Sequence, residues 1–218
     1  METTQQDIER KRFFNERANT WLDKLYKNPE TGNYDRYSER IERILRSLDL
    51  SPHHRVLDAG CGSGVLAPYL LKRLSPKGRL YELDYAEEMI KVNQALHKGD
   101  NIRFICSPVT AIPLEDNHCD RVICFACFPH FPDKARALES LVRVLKPGGL
   151  LVIAHLMSSN ELATHHKTES AVSNDRLPDR SEMEALFANA GLTMESFVDT
   201  TGFHTILGRC RGQQALGH

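Results

Sequence analysis

The 218-residue chain has no surplus of either charge: 28 Lys and Arg stand against 29 Asp and Glu, a formal net charge of -1. That balance removes the electrostatic argument for a nucleic-acid or anionic-membrane partner. The chain also lacks a long apolar run. Its cleanest, LLVIA at 150–154, has the length of a strand and is far too short to span a bilayer. The opening residues METTQQDIERKRFF lack the apolar centre of a secretory leader, which makes the cytoplasm the expected location. Paired cysteines are scarce. Of six, only Cys124 and Cys127 are spaced C-x-x-C, inside the apolar run RVICFACF. Positions three apart in a strand face opposite sides, so buried, reduced thiols are expected rather than a disulfide or a metal pair.

What is present is ordinary globular material, 41% apolar, with no repeat and no linker, so one domain is expected. Helical spacing runs through 8–26 and 37–48, separated by the turn-rich KNPETGNYD. SPHH then breaks the pattern, and strands and helices alternate. Strands are expected at 55–60, 78–84, 101–107, 119–128 and 150–156, and helices at 65–74, 86–96 and 133–145. KPGG at 146–149 reads as a turn. This rhythm predicts an α/β fold with a parallel sheet covered on both faces. Residues 157–178 show no clear period. A capped helix at 180–190, two closing strands at 193–200 and 202–210, and a disordered tail at 211–218 complete the expectation.

The most informative stretch is VLDAGCGSG at 56–64, an apolar strand ending in Gly60, Gly62 and Gly64. In a doubly wound sheet such a strand end lets a ligand approach bare backbone. A dinucleotide fingerprint, G-x-G-x-x-G, would need glycine at 65, where Val65 stands. The bland alternative is that the glycines only form turns.

VLDAGCGSG resembles the first motif of the class I S-adenosylmethionine (SAM)-dependent methyltransferases. ELDYAEEMI (82–90) is similar to their second motif, and CDRVICFACFPHFPDKARALESLVRVLKPGGLLVIAH (119–155) to the rest of their core. FFNERANTWLDKL is similar to the lid helix of the ubiquinone/menaquinone-biosynthesis type, methyltransferase type 11. The resemblance implies a Rossmann-like doubly wound seven-stranded sheet, with lid helices over 1–50, a SAM-binding core over 51–210 and SAM as cofactor. It also implies roles. Asp58 orients the glycine loop and meets the methionine part, although an acid there could simply cap the next helix. Gly60, Cys61, Gly62 and Gly64 carry the cofactor on their backbone. Asp84 takes the ribose hydroxyls, Tyr85 and Met89 flank the adenine, and Phe125 offers its carbonyl to the amino group. Many relatives place an aspartate after the third strand where Pro108 stands, leaving the backbone of Val109 for the adenine. Phe13, Phe14 and Trp21 are expected on the inner face of the lid, with Tyr34 and Tyr37 at the substrate entrance.

Methyl transfer to a hydroxyl or thiol needs a positioned proton acceptor, and the histidines are the candidates. His130 follows the fourth strand and could be base or scaffold. His155 ends the fifth strand. AHLMSSNELATHH and NDRLP are similar to a bacterial and archaeal subgroup of these enzymes. The subgroup's histidine aligns with His166, next to His165, while Ala163 stands where the subgroup has asparagine. His130, His155 and His166 could together hold a divalent metal, or be one base and two bystanders. The expected function is methyl transfer from SAM to an O, N or S atom of a small molecule, by a monomer or homodimer without nucleic-acid or membrane partners. CFPH stands where amino-methylating nucleic-acid enzymes carry N/D-P-P-Y/F. The competing readings are an NAD-type oxidoreductase and a non-catalytic SAM-binding protein.

Overall fold

The computed structural model describes residues 4–167 and 170–211. Its elements run α1 (Gln5–Leu25), α2 (Ser38–Arg46), β1 (Arg55–Ala59), α3 (Ala67–Leu71), β2 (Arg79–Asp84), α4 (Glu87–Leu96), β3 (Ile102–Cys106), β4 (Cys119–Phe125), α5 (Lys134–Val144), β5 (Leu145–His155), α6 (Ser159–His166), α7 (Arg180–Asn189), β6 (Leu192–Thr200) and β7 (Phe203–Cys210). Seven strands form one sheet in the order β3-β2-β1-β4-β5-β7-β6. β1 to β5 are parallel, and β7 inserts antiparallel between β5 and β6. The winding reverses between β1 and β4, and in such sheets a ligand crevice opens beyond the strand ends at that switch point.

Burial on both faces explains the near-continuous apolar strands. Along β1, Leu57 and Ala59 join the core beneath α5 and α7, while Val56 joins the core beneath α2 and α3. Asp58 shares the face of Val56, an acid in a position made for an apolar side chain. No helix among the described residues is long and apolar enough to cross a membrane.

Several expectations are corrected. KPGG is not a separate turn: Lys146–Gly149 lies within β5, and the pairing slips there from Leu145 opposite Cys119 to Leu150 opposite Arg121. The helix expected over 65–74 is only Ala67–Leu71, because Gly64 and the residues after it still belong to the loop. The aperiodic stretch holds α6, closed by a capping box in which Ser158 and Glu161 exchange bonds. The same Glu161 carboxylate accepts from Gly202 N at 2.7 Å, tying α6 to the β6–β7 hairpin. The expected strand to 128 stops at Phe125, because Ala126 adopts φ +54. After that turn Cys124 and Cys127 share one core, so the expected placement of the two on opposite faces fails. Both are free thiols, and Cys127 donates to Ala59 O at 2.9 Å. The tail at 211–218 lies outside the described residues except for Arg211.

Packing at the β7 end is equally tight. A Cβ at Gly208 would sit 2.5 Å from Cε2 of the buried Phe187. Gly208→Ala is therefore expected to destabilise the fold by about 1–3 kcal/mol in urea unfolding. An unchanged midpoint would show that Phe187 can move aside.

Candidate active site

The glycine loop is shaped first by the protein itself. Gly60 N and Cys61 N both donate to Leu83 O, at 2.7 and 3.0 Å. Gly62 N donates to Asp84 Oδ2 at 2.9 Å, so the end of β2 holds the loop that follows β1. All three glycines have positive φ: +77 at Gly60, +54 at Gly62 and +85 at Gly64. A Cβ at Gly60 would lie 2.6 Å from Cys127 Cβ, and one at Gly64 2.2 Å from Asn93 Oδ1. At Gly62 it would meet nothing nearer than Met89 Sδ at 3.9 Å. Internal packing thus demands Gly60 and Gly64, while Gly62 presents open backbone on the cleft wall.

Three acids gather beneath this loop. Asp84 Oδ1 accepts from Ala86 N at 2.8 Å, so each of its oxygens holds one backbone bond and keeps a lone pair. Burial pushes its carboxyl up to about 6 against the backbone bonds that pull it down. Asp58 and Glu82 face each other across the parallel pair of β1 and β2 and are 1% and 0% exposed. Burial, then each other's charge, lifts Asp58 well above the usual carboxylate range. Glu82 rises to about 7, burial outweighing the Asn93 Nδ2 bond at 2.7 Å to its Oε2. Both Asp58 oxygens are buried without a hydrogen-bond partner.

Above the acids lies a cleft between the strand ends and α1. Gly60, Cys61, Gly62, Asp84, Tyr85, Met89, Phe125 and His130, all read from the sequence, line it. Asp58 sits beneath the loop and Gly64 against Asn93. Val109 packs into the core beside α5 instead of on the cleft. From α1, Phe14 and Trp21 reach the cleft with Leu22, while Phe13 lies under the guanidinium of Arg17. Tyr34 is exposed and bonded to Asp23, and Tyr37 packs edge-on against Tyr26, so neither lines the cleft. Val65, where a dinucleotide fingerprint needs glycine, is itself part of the wall.

The histidine side is organised by two residues the sequence reading missed, Arg10 and Asp175. Arg10 Nε and Nη2 grip the Asp175 carboxylate at 3.0 and 2.7 Å, with both residues buried. Asp175 Oδ2 also meets His130 Nδ1 at 2.8 Å, and its carbonyl meets His166 Nδ1 at 2.6 Å. A carboxylate and a carbonyl only accept, so both imidazoles carry their proton on Nδ1 and keep Nε2 as the acceptor nitrogen. The two rings lie 5.0 Å apart. Burial holds His130 below 6.5 despite the upward pull of Asp175. For Asp175, the His130 and Arg10 bonds outweigh burial and keep it below its usual range. The stretch NDRLP contains Asp175, but nothing in a helical pattern marks Arg10 as its partner 165 residues away.

His155 has the opposite tautomer: its Nδ1 accepts from Met157 N at 3.1 Å, so the neutral ring bears its proton on Nε2. It stands opposite His204 at the sheet end and, like His166, lies outside the cleft wall. Burial, then His130, His166, His204 and His165, drives His155 down to about 3. The divalent-metal site considered for His130, His155 and His166 is not formed. Among the described residues no group of three or more His, Cys, Asp or Glu is arranged to hold a metal ion. Asp175 already occupies one nitrogen on each of two rings, and a backbone N–H occupies the third.

The donor set fits the cofactor expected from the sequence. Unpartnered Asp58 oxygens suit an ammonium group, the Asp84 lone pairs suit a vicinal diol, and the aromatic walls suit a sulfonium cation. Residues 57–153 match the profile of a family described as "Methyltransferase domain". Demethylmenaquinone methyltransferase of Staphylococcus carnosus (strain TM300) is 31% identical over 139 residues, covering 59% of this chain and 57% of that protein. The chain spans about half the length of the curated relatives it matches. Among solved structures, a SAM-dependent methyltransferase from Aquifex aeolicus superposes with TM-score 0.70 at 24% identity, over 87% of this chain and 97% of that one. A chain from the complex between the Haloferax volcanii Trm112 methyltransferase activator and a methyltransferase superposes with TM-score 0.75 at 21% identity, over 90% of this chain and 97% of that one. At these identities the two structures show the fold.

The histidines have a consequence for stability. With His155 held near 3 against an ordinary 6.5, the unfolded chain takes up a proton below 6.5 that the folded chain refuses, so acidification costs stability. His155→Gln removes that cost. Its stability relative to the wild type is expected to rise as pH falls from about 7.5 to about 5.5, by at most about 1.4 kcal/mol per pH unit. Urea unfolding at the two pH values measures it, and a difference that does not change with pH contradicts the assignment.

Proposed function

We propose, from the premise that residues 57–153 are a methyltransferase domain of the class I SAM-dependent type, that this chain transfers a methyl group from SAM to a small molecule. The receiving atom is O, N or S, and the reaction takes place in the cytoplasm, on a monomer or homodimer. One observation carries the reading: a single cleft is bounded at one end by Asp84, pinned to Gly62 N, and at the other by His130 with Nε2 as its acceptor nitrogen.

In this reading Asp84 holds the ribose hydroxyls, and the open backbone at Gly62 with Gly60 and Cys61 supports the methionine part. Asp58 balances its ammonium from beneath, Tyr85 and Met89 flank the adenine, and the Phe125 carbonyl faces the amino group. When bound, SAM supplies an electrophilic methyl on a cationic sulfur. The chain's own contribution is to exclude water with Phe14 and Trp21 and to align the acceptor. His130, held neutral by burial and oriented by Asp175, takes a proton at Nε2 from a hydroxyl or thiol. Nucleic acid remains disfavoured as substrate on charge, and the NAD-type alternative is weakened by Val65 on the cleft wall.

Two measurements separate the readings. Thermal shift with SAM and with NAD should show stabilisation by SAM alone. Conversion of SAM to S-adenosylhomocysteine should then appear with at least one member of a panel of phenols, thiols, carboxylates and amines. Binding without conversion across the panel would support a non-catalytic SAM-binding protein. Asp84→Asn is expected to weaken SAM binding by about tenfold, the worth of about 1.4 kcal/mol of charge-assisted bonding. His130→Gln should lower turnover of a hydroxyl or thiol acceptor by about 10²–10⁴ with little change in SAM affinity. A His130→Gln enzyme with wild-type turnover would remove His130 from the chemistry.

A further inference from the structure

We propose that Arg10 and Asp175 are positioning residues that tie the proton-accepting state of His130 to the seating of α1 on the cleft. This rests on the reading of His130 as proton acceptor. The contacts form one chain: Arg10, on α1, makes a two-point bond to Asp175, and Asp175 accepts the Nδ1 proton of His130. Phe14, one turn further along α1, packs on the other side of the same imidazole at 5.2 Å and on Tyr85 at 6.5 Å. Elsewhere α1 is tied by Ser63 Oγ to Ala18 O at 3.1 Å, Glu88 N to Asn15 Oδ1 at 3.1 Å, Tyr34 Oη to Asp23 Oδ1 at 2.7 Å, and the exposed Lys11–Glu87 pair. Any outward movement of α1 that widens the cleft withdraws Phe14 and Arg10 together.

The electrostatic consequence follows from burial. While Arg10 is seated, the Asp175 charge is balanced by a guanidinium that stays charged at all working pH values. His130 can then remain neutral in its buried setting. With Arg10 gone, Asp175 is a buried carboxylate whose nearest partner is His130, and the cheapest way to balance it is to protonate the imidazole. The other groups acting on the pair from neighbouring elements, His166, His155 and Lys134, do not supply a lasting substitute. His166 and His155 disfavour a charge on His130, and the Lys134 ammonium is bonded instead to Pro129 O and Phe131 O, at 3.1 and 3.2 Å.

In the step this serves, the acceptor's O–H or S–H bond breaks and its proton passes to Nε2 of His130. The electron pair freed on the acceptor forms the new bond to the methyl carbon. The carbon–sulfur bond breaks with its pair left on sulfur, giving a neutral thioether. His130 ends as imidazolium beside Asp175, and while Arg10 is seated the balanced Asp175 charge favours return of that proton to solvent. With Arg10 withdrawn the imidazolium is favoured instead, so seating Arg10 restores the proton-accepting form.

The test reads His130 directly by NMR titration of the cofactor-free full-length protein, in wild type, Arg10→Met, Arg10→Lys and Asp175→Asn. The wild-type ring should titrate below 6.5. Arg10→Met should move it up by about one unit or more, Asp175→Asn should move it down, and Arg10→Lys should stay near the wild type because it keeps the charge. The acidic limb of kcat/KM against pH should shift in the same directions, costing Arg10→Met about tenfold at pH values below both pKa values and little well above them. If Arg10→Met does not fold, Arg10→Gln, which can still hydrogen-bond Asp175 but carries no charge, takes its place and should raise His130 in the same way. A shift of His130 in the same direction in Arg10→Met and Asp175→Asn, or no shift in either, overturns the proposal. The NMR arm needs no turnover, so a failure of the methyl-transfer reading stays distinguishable from a failure of this one.

Discussion

The C-terminal end of β2 is the point on which the site depends. Within two residues it accepts four backbone N–H groups: Leu83 O takes those of Gly60 and Cys61, and Asp84 takes those of Gly62 and Ala86. These bonds hold the loop after β1 in conformations with positive φ and point Asp84 along the cleft. They also explain why a carboxylate can be kept there at little exposure. Fixed N–H dipoles do the work that water would otherwise do, and they cost no reorganisation when a ligand arrives.

Asp175 is the corresponding node on the acceptor side, built on a different principle. The first node is backbone to carboxylate and belongs to the rigid sheet. The second is side chain to side chain and joins three separate pieces of chain: α1, the loop after β4, and the segment before α7. Buried pairs of this kind add little net stability, because desolvation consumes most of the attraction, but they penalise every arrangement that separates the partners. One end of the cleft is therefore preorganised, and the other is assembled only when α1 is in place.

Much of this was legible in the sequence because it follows from local rules. VLDAGCGSG gave a strand and a loop, the strand–helix rhythm gave the parallel sheet, and Asp179 with Glu182 and Gly191 gave α7 its two ends. What escaped was of two kinds. Some signals were present but weak: Ser158 and Glu161 spelled a capping box, yet eight residues of mixed polarity give no helical stripe. Others had no local signal at all. Ala126 in a left-handed conformation, which places Cys127 beside both Cys124 and Gly60, is imposed by the packing around it. Arg10 and Asp175 are ordinary residues of an N-terminal helix and a loop, and only the fold makes them partners. His130 and His166 come within 5.0 Å of each other, but the tautomers depend on which carbonyl, carboxylate or amide each ring faces.

Gly64 and Asn93 carry a last consequence. Asn93 Oδ1 lies where the first carbon of any side chain at 64 would have to go, and its Nδ2 serves the otherwise poorly satisfied Glu82. The two positions, 29 residues apart in sequence, therefore form a lock with the acid as its third member. A chain drifting in sequence could not enlarge position 64 without first shrinking position 93, and a shrunken 93 leaves Glu82 without its donor and Asp58 beside a less well-held neighbour. A small residue at 93 would clear the space without releasing position 64, because a φ of +85 still strains any side chain there. The third glycine thus answers both to its own backbone and to what stands behind the loop, while the second lies on the cleft wall.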